Sequence, residues 1–321
     1  MTDPNSPPAK PSTLRSTLIK ILKIVLSVLV IYYVASYVAR NWGEITNYEW
    51  EINYPLLILS VIAHLLTLTI QARVWCMVME GFGHRVKLKT SFKISYIASL
   101  ARYVPGKLWP MVGMAVLARQ AKIDERESVA SWAIATMFGM PASFVVGGIC
   151  LLIHSSEKAA EISNKLGPGM YVAAAAVTIA SLLLLFAPNV TLWLYNLLLK
   201  LMKKPGVKFS LTIKQGVMIY LGYSISWIAY GVSFWLFMIS ILPHANVPLV
   251  AAIGTFVLGY MIGYIAIFTP GGFGVRELIV TLLLSPYIGA VSAGIAVASR
   301  IWNLAVEVIA LVIAWRIKIE P

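Results

Sequence analysis

The chain has 321 residues, 59% hydrophobic and 12% charged, with a mean hydropathy of +0.81. A soluble domain carries about 25% charged residues, so the composition leaves no room for a soluble catalytic domain of useful size. The formal net charge of +13, from 26 Lys and Arg against 13 Asp and Glu, does not point to nucleic acid. It fits an all-α polytopic membrane protein whose cations collect in the cytoplasmic loops.

Residues 1–16 are polar, with Pro and Ser, and read as a disordered cytoplasmic N-terminus. The first predicted span is 18–38. Lys10, Arg15, Lys20 and Lys23 precede or open it, and no small-residue cleavage site follows, so it reads as a retained helix. A loop with Arg40, Glu44, Glu49 and Glu51 suits the outer face. The second span, 55–79, returns to a basic loop holding His84, Arg85, Lys87, Lys89 and Lys93. Two half-length apolar pieces follow, 94–104 and 108–118, with Pro105-Gly106 between them. Each falls short of the roughly 20 residues needed to cross. The pair reads as a re-entrant hairpin, 94–118, entering from the cytoplasm. After a loop of mixed charge comes the span 128–153.

The second half opens with a mixed loop and a span at 170–186. An interfacial amphipathic helix at 193–202 and a basic loop with Lys200, Lys203, Lys204, Lys208 and Lys214 follow. The next span is 215–242, and the loop 243–248 after it has no Lys or Arg. A second broken pair, 249–268 and 275–284, flanks Pro270-Gly271-Gly272. The last span, 287–315, ends at Arg316 and Lys318, which puts the C-terminus in the cytoplasm. The pattern predicts about six full spans and two re-entrant hairpins, 94–118 and 249–284. They fall into two repeats, 17–154 and 155–321, of inverted topology, a transporter architecture. Segment 249–268 is itself long enough to span, so both topologies stand at that point.

The two breaks are the first candidate site. Pro ends a helix, Gly allows a tight reversal, and lipid cannot satisfy the backbone groups set free. A helix that restarts after such a turn presents free N–H groups and the positive end of its dipole to an anion. Arg102, Pro105, Gly106 and Lys107 form the first turn; Pro270, Gly271, Gly272 and Arg276 with Glu277 form the second. The alternative is a plain kink with snorkelling cations.

Arg300, Asn303 and Glu307, at i, i+3 and i+7 in an apolar run, share one helix face. They form either a cavity wall that meets an anionic head group or a structural ion pair with Arg276 or Glu277. Charges at that depth cost at least about 2.5 kcal/mol on insertion scales, so they are paired or wet. Glu277 or Glu307 is the place for proton coupling. His64, Thr67 and Gln71 form a polar stripe suited to interhelical hydrogen bonds, and Tyr220, Tyr223, Trp227 and Tyr230 an aromatic stripe suited to packing. Gly259 and Gly263 suit close helix approach.

Cys76 and Cys150 lie in apolar segments and read as small hydrophobes. The four His residues lack metal-ligand spacing, and the Walker A, nucleophile-elbow and dinucleotide patterns are missing. The expectation is therefore a protein that is not an enzyme and has no metal or cofactor.

The stretches Arg102-Tyr103-Val104-Pro105-Gly106-Lys107-Leu108-Trp109 and Pro270-Gly271-Gly272-Phe273-Gly274-Val275-Arg276-Glu277, with Arg300 and Glu307, resemble the motifs of the lysylphosphatidylglycerol synthase transmembrane, or flippase-like, family. Larger members of that family add an aminoacyl-transfer domain, which this sequence does not contain. Met114 stands where many relatives carry an Arg several residues after the first Pro-Gly, so the resemblance does not carry their substrate over to this chain. The resemblance implies a flippase moving an anionic or glycosylated lipid, a phospholipid or polyprenyl phosphate, across the inner membrane. The alternatives are an ion-coupled transporter of a small anion, or a non-catalytic membrane partner of a glycosyltransferase or lipid-modifying enzyme.

Overall fold

The computed structural model describes residues 32, 35–101, 109–153, 193, 196–197, 199–201, 205–266 and 269–319. Among them the secondary structure is helical throughout: α1 (Trp42–Thr46), α2 (Tyr54–Glu80), α3 (Leu88–Leu100), α4 (Trp109–Gln120), α5 (Glu125–Ile153), α6 (Ile213–Ile241), α7 (Leu249–Ile265), a 3-10 turn (Pro270–Gly272), α8 (Val275–Ile288) and α9 (Val291–Arg316). Most of the predicted first span, the span at 170–186 and the first Pro-Gly turn lie outside the described residues.

Local chemistry sets the ends of these helices. Asn53 accepts the Leu56 N–H at 3.1 Å, with Pro55 in the first turn, and starts α2. Thr212 and Gln215 cap the start of α6 reciprocally, at 3.3 and 2.9 Å. The first arm of the first broken pair begins at Leu88, earlier than the predicted 94. Its opening turns carry Lys89 and Lys93, and Lys93 Nζ donates to the Ile317 carbonyl at 2.6 Å. In the second half, α8 continues through Pro286 to Ile288, and the last helix starts at Val291 rather than 287. Pro286 cannot donate to the Leu282 carbonyl; the Ser285 hydroxyl does so at 3.0 Å, and Gly289, with φ +56°, ends the helix.

Helices α2, α5, α6 and α9 are long and apolar enough to cross a membrane. Their outer faces are apolar at helical spacing: Ile58, Ile62 and Leu66 on α2, Leu221, Ile225 and Ile228 on α6, and Ile301, Leu304, Val308 and Val312 on α9 are all exposed. Water would make such a belt an association hazard; hydrocarbon does not. The buried face of α9 runs opposite, through Ser299, Asn303, Glu307, Ala310 and Ala314.

α2 and α6 form the central pair and run antiparallel. The Asn53 N–H donates to the Ser240 carbonyl at 2.7 Å, and the Ser210 N–H donates to the Gly81 carbonyl at 3.0 Å. Those contacts define two ends of the bundle. At the first end lie Gly81 and Ser210, His84 paired with Glu127 at 2.7 Å, and Ile317. Arg126 joins there, holding both oxygens of Asp124 at 3.0 and 2.9 Å and reaching the Pro205 carbonyl at 3.0 Å. Its hydrogen bonds keep the Asp124 carboxyl below its ordinary pKa. At the second end lie Asn53, Ser240, and Gly294 packed against Trp50 and Ile45.

The chain enters α3 and leaves α4 at the first, basic end. It enters α7 and leaves α8 at the second. α3 and α4 have 13 and 12 residues, so each is only about 20 Å long; α7 and α8 have 17 and 14. Exchanging α2–α5 with α6–α9 carries the neighbour pattern onto itself. The α2–α3 contact maps onto α6–α7, α3–α4 onto α7–α8, α4–α5 onto α8–α9, and α5–α7 onto α9–α3.

Candidate functional site

The second turn closes on itself. Gly271, Gly272 and Gly274 have φ of +56°, +73° and +83°, backbone that only glycine adopts without strain. A Cβ on Gly272 would sit 2.9 Å from the Gly263 carbonyl, so the turn is pressed onto α7. Glu277 reaches back over the start of α8. Its Oε2 accepts the Gly274 N–H at 2.7 Å, and its Oε1 takes Arg300 Nη1 at 2.6 Å. Arg300 Nη2 donates to the Gly271 carbonyl at 3.1 Å, and the guanidinium lies 3.5 Å from the centre of the Phe273 ring. The anion place at this helix start is thus taken by the chain's own carboxylate. Of the two readings of Arg300, the ion pair with Glu277 is the observed arrangement.

Arg276 points elsewhere, as neighbouring helix positions must. It is 6% exposed, and its Nε and Nη2 make no hydrogen bond among the described residues. Its guanidinium carbon lies 4.8 Å from the ring centre of Phe256 and 5.3 Å from that of Tyr260. Cation–π attraction offsets part of the cost of burial, but hydrogen-bond donors remain to be satisfied. Gly263 makes this close seat available, since a Cβ there would meet Arg276 Cβ at 3.0 Å; Gly259 does the same beside Val280.

Asn303 and Glu307 form a second polar group on the buried face of α9. Tyr230 Oη donates to Asn303 Oδ1, and Asn303 Nδ2 donates to Glu307 Oε1, both at 2.5 Å. Tyr96 Oη donates to the Glu307 carbonyl. His64 packs at a tilt against Tyr230 and Trp302, with ring centres 4.6 and 4.9 Å away.

Glu307 also lines a cavity of about 260 Å³ between the two halves. The stripe His64, Thr67 and Gln71 faces this cavity. The Thr67 hydroxyl turns back to the Ala63 carbonyl of its own helix at 3.0 Å. The aromatic stripe contributes Tyr223, Trp227 and Tyr230 to the wall, so it is more than packing. The half-length helices add Ser95, Tyr96 and Ser99 from α3 and Tyr260, Met261 and Tyr264 from α7, and α5 adds Trp132 and Thr136. Sequence reasoning missed these. The signal available was the i, i+4 spacing of Ser95 with Ser99 and of Tyr260 with Tyr264, one polar face on each apolar half-helix. Met114, singled out as a departure from the family motif, lines the cavity too.

Of the predicted site residues, Gly271, Gly272, Glu277 and Arg300 come together at the turn, which Pro270 opens. Asn303 and Glu307 come together at the cavity, and Arg276 stands behind Tyr260. Arg102, Pro105, Gly106 and Lys107 lie outside the described residues. Among the described residues, no three His, Cys, Asp or Glu side chains converge to hold a metal.

The family described as lysylphosphatidylglycerol synthase TM region matches residues 20–313. No curated protein matches the chain.

Proposed function

The chain belongs to the lysylphosphatidylglycerol synthase TM-region family of multi-pass membrane proteins that handle lipids, and from that premise we propose that it is a flippase for an anionic lipid. The observation that carries this reading is Arg276, a buried guanidinium with unused donors, one aromatic ring away from a cavity between the two halves. Arg276 meets the lipid phosphate, while the neutral polar wall of the cavity takes the rest of the head group. Acyl chains stay in the bilayer. Arg300 and Glu277 shape the turn that presents Arg276.

The α3–α4 and α7–α8 pairs act as re-entrant hairpins that enter from opposite faces of an inverted repeat. Support comes from their entry and exit at opposite ends of the bundle and from the self-mapping neighbour pattern. We read the basic end as cytoplasmic by the positive-inside rule, with both termini inside and the inner membrane as the location. Chemistry on the lipid is no part of the reading; the protein moves its substrate and does not convert it.

The test is to extract and identify lipid from purified protein. Enrichment of an anionic lipid in wild type, lost in Arg276→Gln, is the expected result. Binding of inorganic phosphate to Arg276 with no lipid enriched would replace the lipid by a small soluble anion.

A further inference from the structure

Among the described residues, two acids are buried in the apolar helices, Glu277 and Glu307. The structure separates their roles. Glu277 is held on both oxygens, by the Gly274 N–H and by Arg300. Glu307 instead lines the cavity, where it is the acidic member of a wall otherwise made of rings, hydroxyls, amides and apolar side chains. We propose that Glu307 is a proton-binding site that couples substrate movement to a proton gradient, with Asn303 and Tyr230 as its positioning residues.

The geometry favours a proton over a metal cation. Hard cations such as Ca²⁺ and Mg²⁺ are bound by several oxygens converging on one point. Here the oxygens are spent on one another: Asn303 Oδ1 accepts from Tyr230, and the Glu307 carbonyl accepts from Tyr96. One carboxylate oxygen accepts from the Asn303 amide at 2.5 Å. A carboxyl in that chain changes protonation without rearranging a coordination shell. Glu307 takes one proton from water in the cavity, becomes a neutral acid, and returns the proton to water when the cavity opens to the other face.

The groups that face the site are His64 from α2, Tyr96 from α3, Tyr230 from α6, and Tyr260 and Tyr264 from α7. Arg276 of α8 lies behind Tyr260, and Arg300 is two turns back along α9, engaged with Glu277. His64 also faces this space, and imidazole is a side chain that ordinarily changes charge near neutral pH. The test therefore has to separate it from Glu307.

Infrared difference spectra of the full chain in lipid, between acid and neutral pH, report a carboxylic-acid C=O stretch and are blind to imidazole in that band. The expected result is a titrating component, on top of that of the exposed acids, that is missing in Glu307→Gln and present, with its midpoint moved, in Glu307→Asp. Wild-type and Glu307→Gln spectra that titrate alike overturn the proposal. This arm does not depend on the flippase reading.

A second arm does rest on that reading. With labelled phosphatidylglycerol in liposomes, one proton per lipid allows up to about tenfold accumulation per pH unit of imposed gradient. Wild type and Glu307→Asp should approach this ratio. A wild type that moves the lipid but ignores the gradient overturns coupling. If no lipid moves, the flippase reading fails and the infrared arm alone decides the proton site.

Discussion

Arg276, Glu277 and Arg300 show how position on a helix decides the fate of a charge. Arg276 and Glu277 are neighbours, so their side chains diverge by about 100° around α8. Glu277 turns back to cap its own helix and meets Arg300; Arg276 faces α7. Removing one member of the buried pair leaves an uncompensated charge, a loss of about 3–5 kcal/mol. Arg300→Met should therefore lower thermal stability in detergent sharply. Arg300→Met with Glu277→Gln should recover most of it, because Gln can still accept the Gly274 N–H. Equal instability of the single and double variants would show that the ion pair is not what holds the turn. Arg276→Gln is expected to change stability far less, since the arginine makes no ion pair among the described residues, while removing lipid enrichment.

Among the elements, α7 and α8 are held close by glycine. Gly259 and Gly263 lie four residues apart on α7 and face Val280 and Arg276 of α8. Gly259→Leu would place a side chain where even a Cβ meets Val280 at 2.8 Å. The expected loss is about 1–3 kcal/mol, seen as a lower melting temperature, with lipid movement reduced because Arg276 is displaced. A variant of wild-type stability would mean that the two helices are free to separate. The second break and the Gly259-Gly263 pair could be read from the sequence, because Pro and Gly act locally. The ends of α3 and α8 could not. Lys89 and Lys93 look like loop residues until the carbonyl at Ile317 is found beside Lys93, and Pro286 looks like a stop until Ser285 serves the carbonyl it leaves open.

For the molecule as a whole, the charge asymmetry of the loops was legible and the cavity was not. His64, Thr67 and Gln71 on α2 looked like a hydrogen-bonding stripe, and Tyr223, Trp227 and Tyr230 on α6 like a packing stripe, each on one helix. Only the antiparallel pairing of α2 with α6 turns both toward one space. Filling that space is a direct perturbation: Ser99→Trp should abolish lipid movement while the protein still purifies as a folded species, and unchanged movement would place the route elsewhere. Orientation has its own check. On a background of Cys76→Ala and Cys150→Ala, a membrane-impermeant maleimide added outside should label Glu51→Cys and Gly289→Cys and spare Arg85→Cys and Lys122→Cys. Labelling of Lys122→Cys would mean that α3 and α4 do not return to the face they left. The central claim, that this cavity and its buried arginine carry an anionic lipid across the bilayer, is tested most directly in liposomes. The measurement follows head-group accessibility of labelled phosphatidylglycerol and polyprenyl phosphate, wild type beside Arg276→Ala. Translocation of one of these lipids that drops at least tenfold in the variant is the predicted result. Equal translocation in both proteins, or none for any lipid by folded wild type, would contradict it.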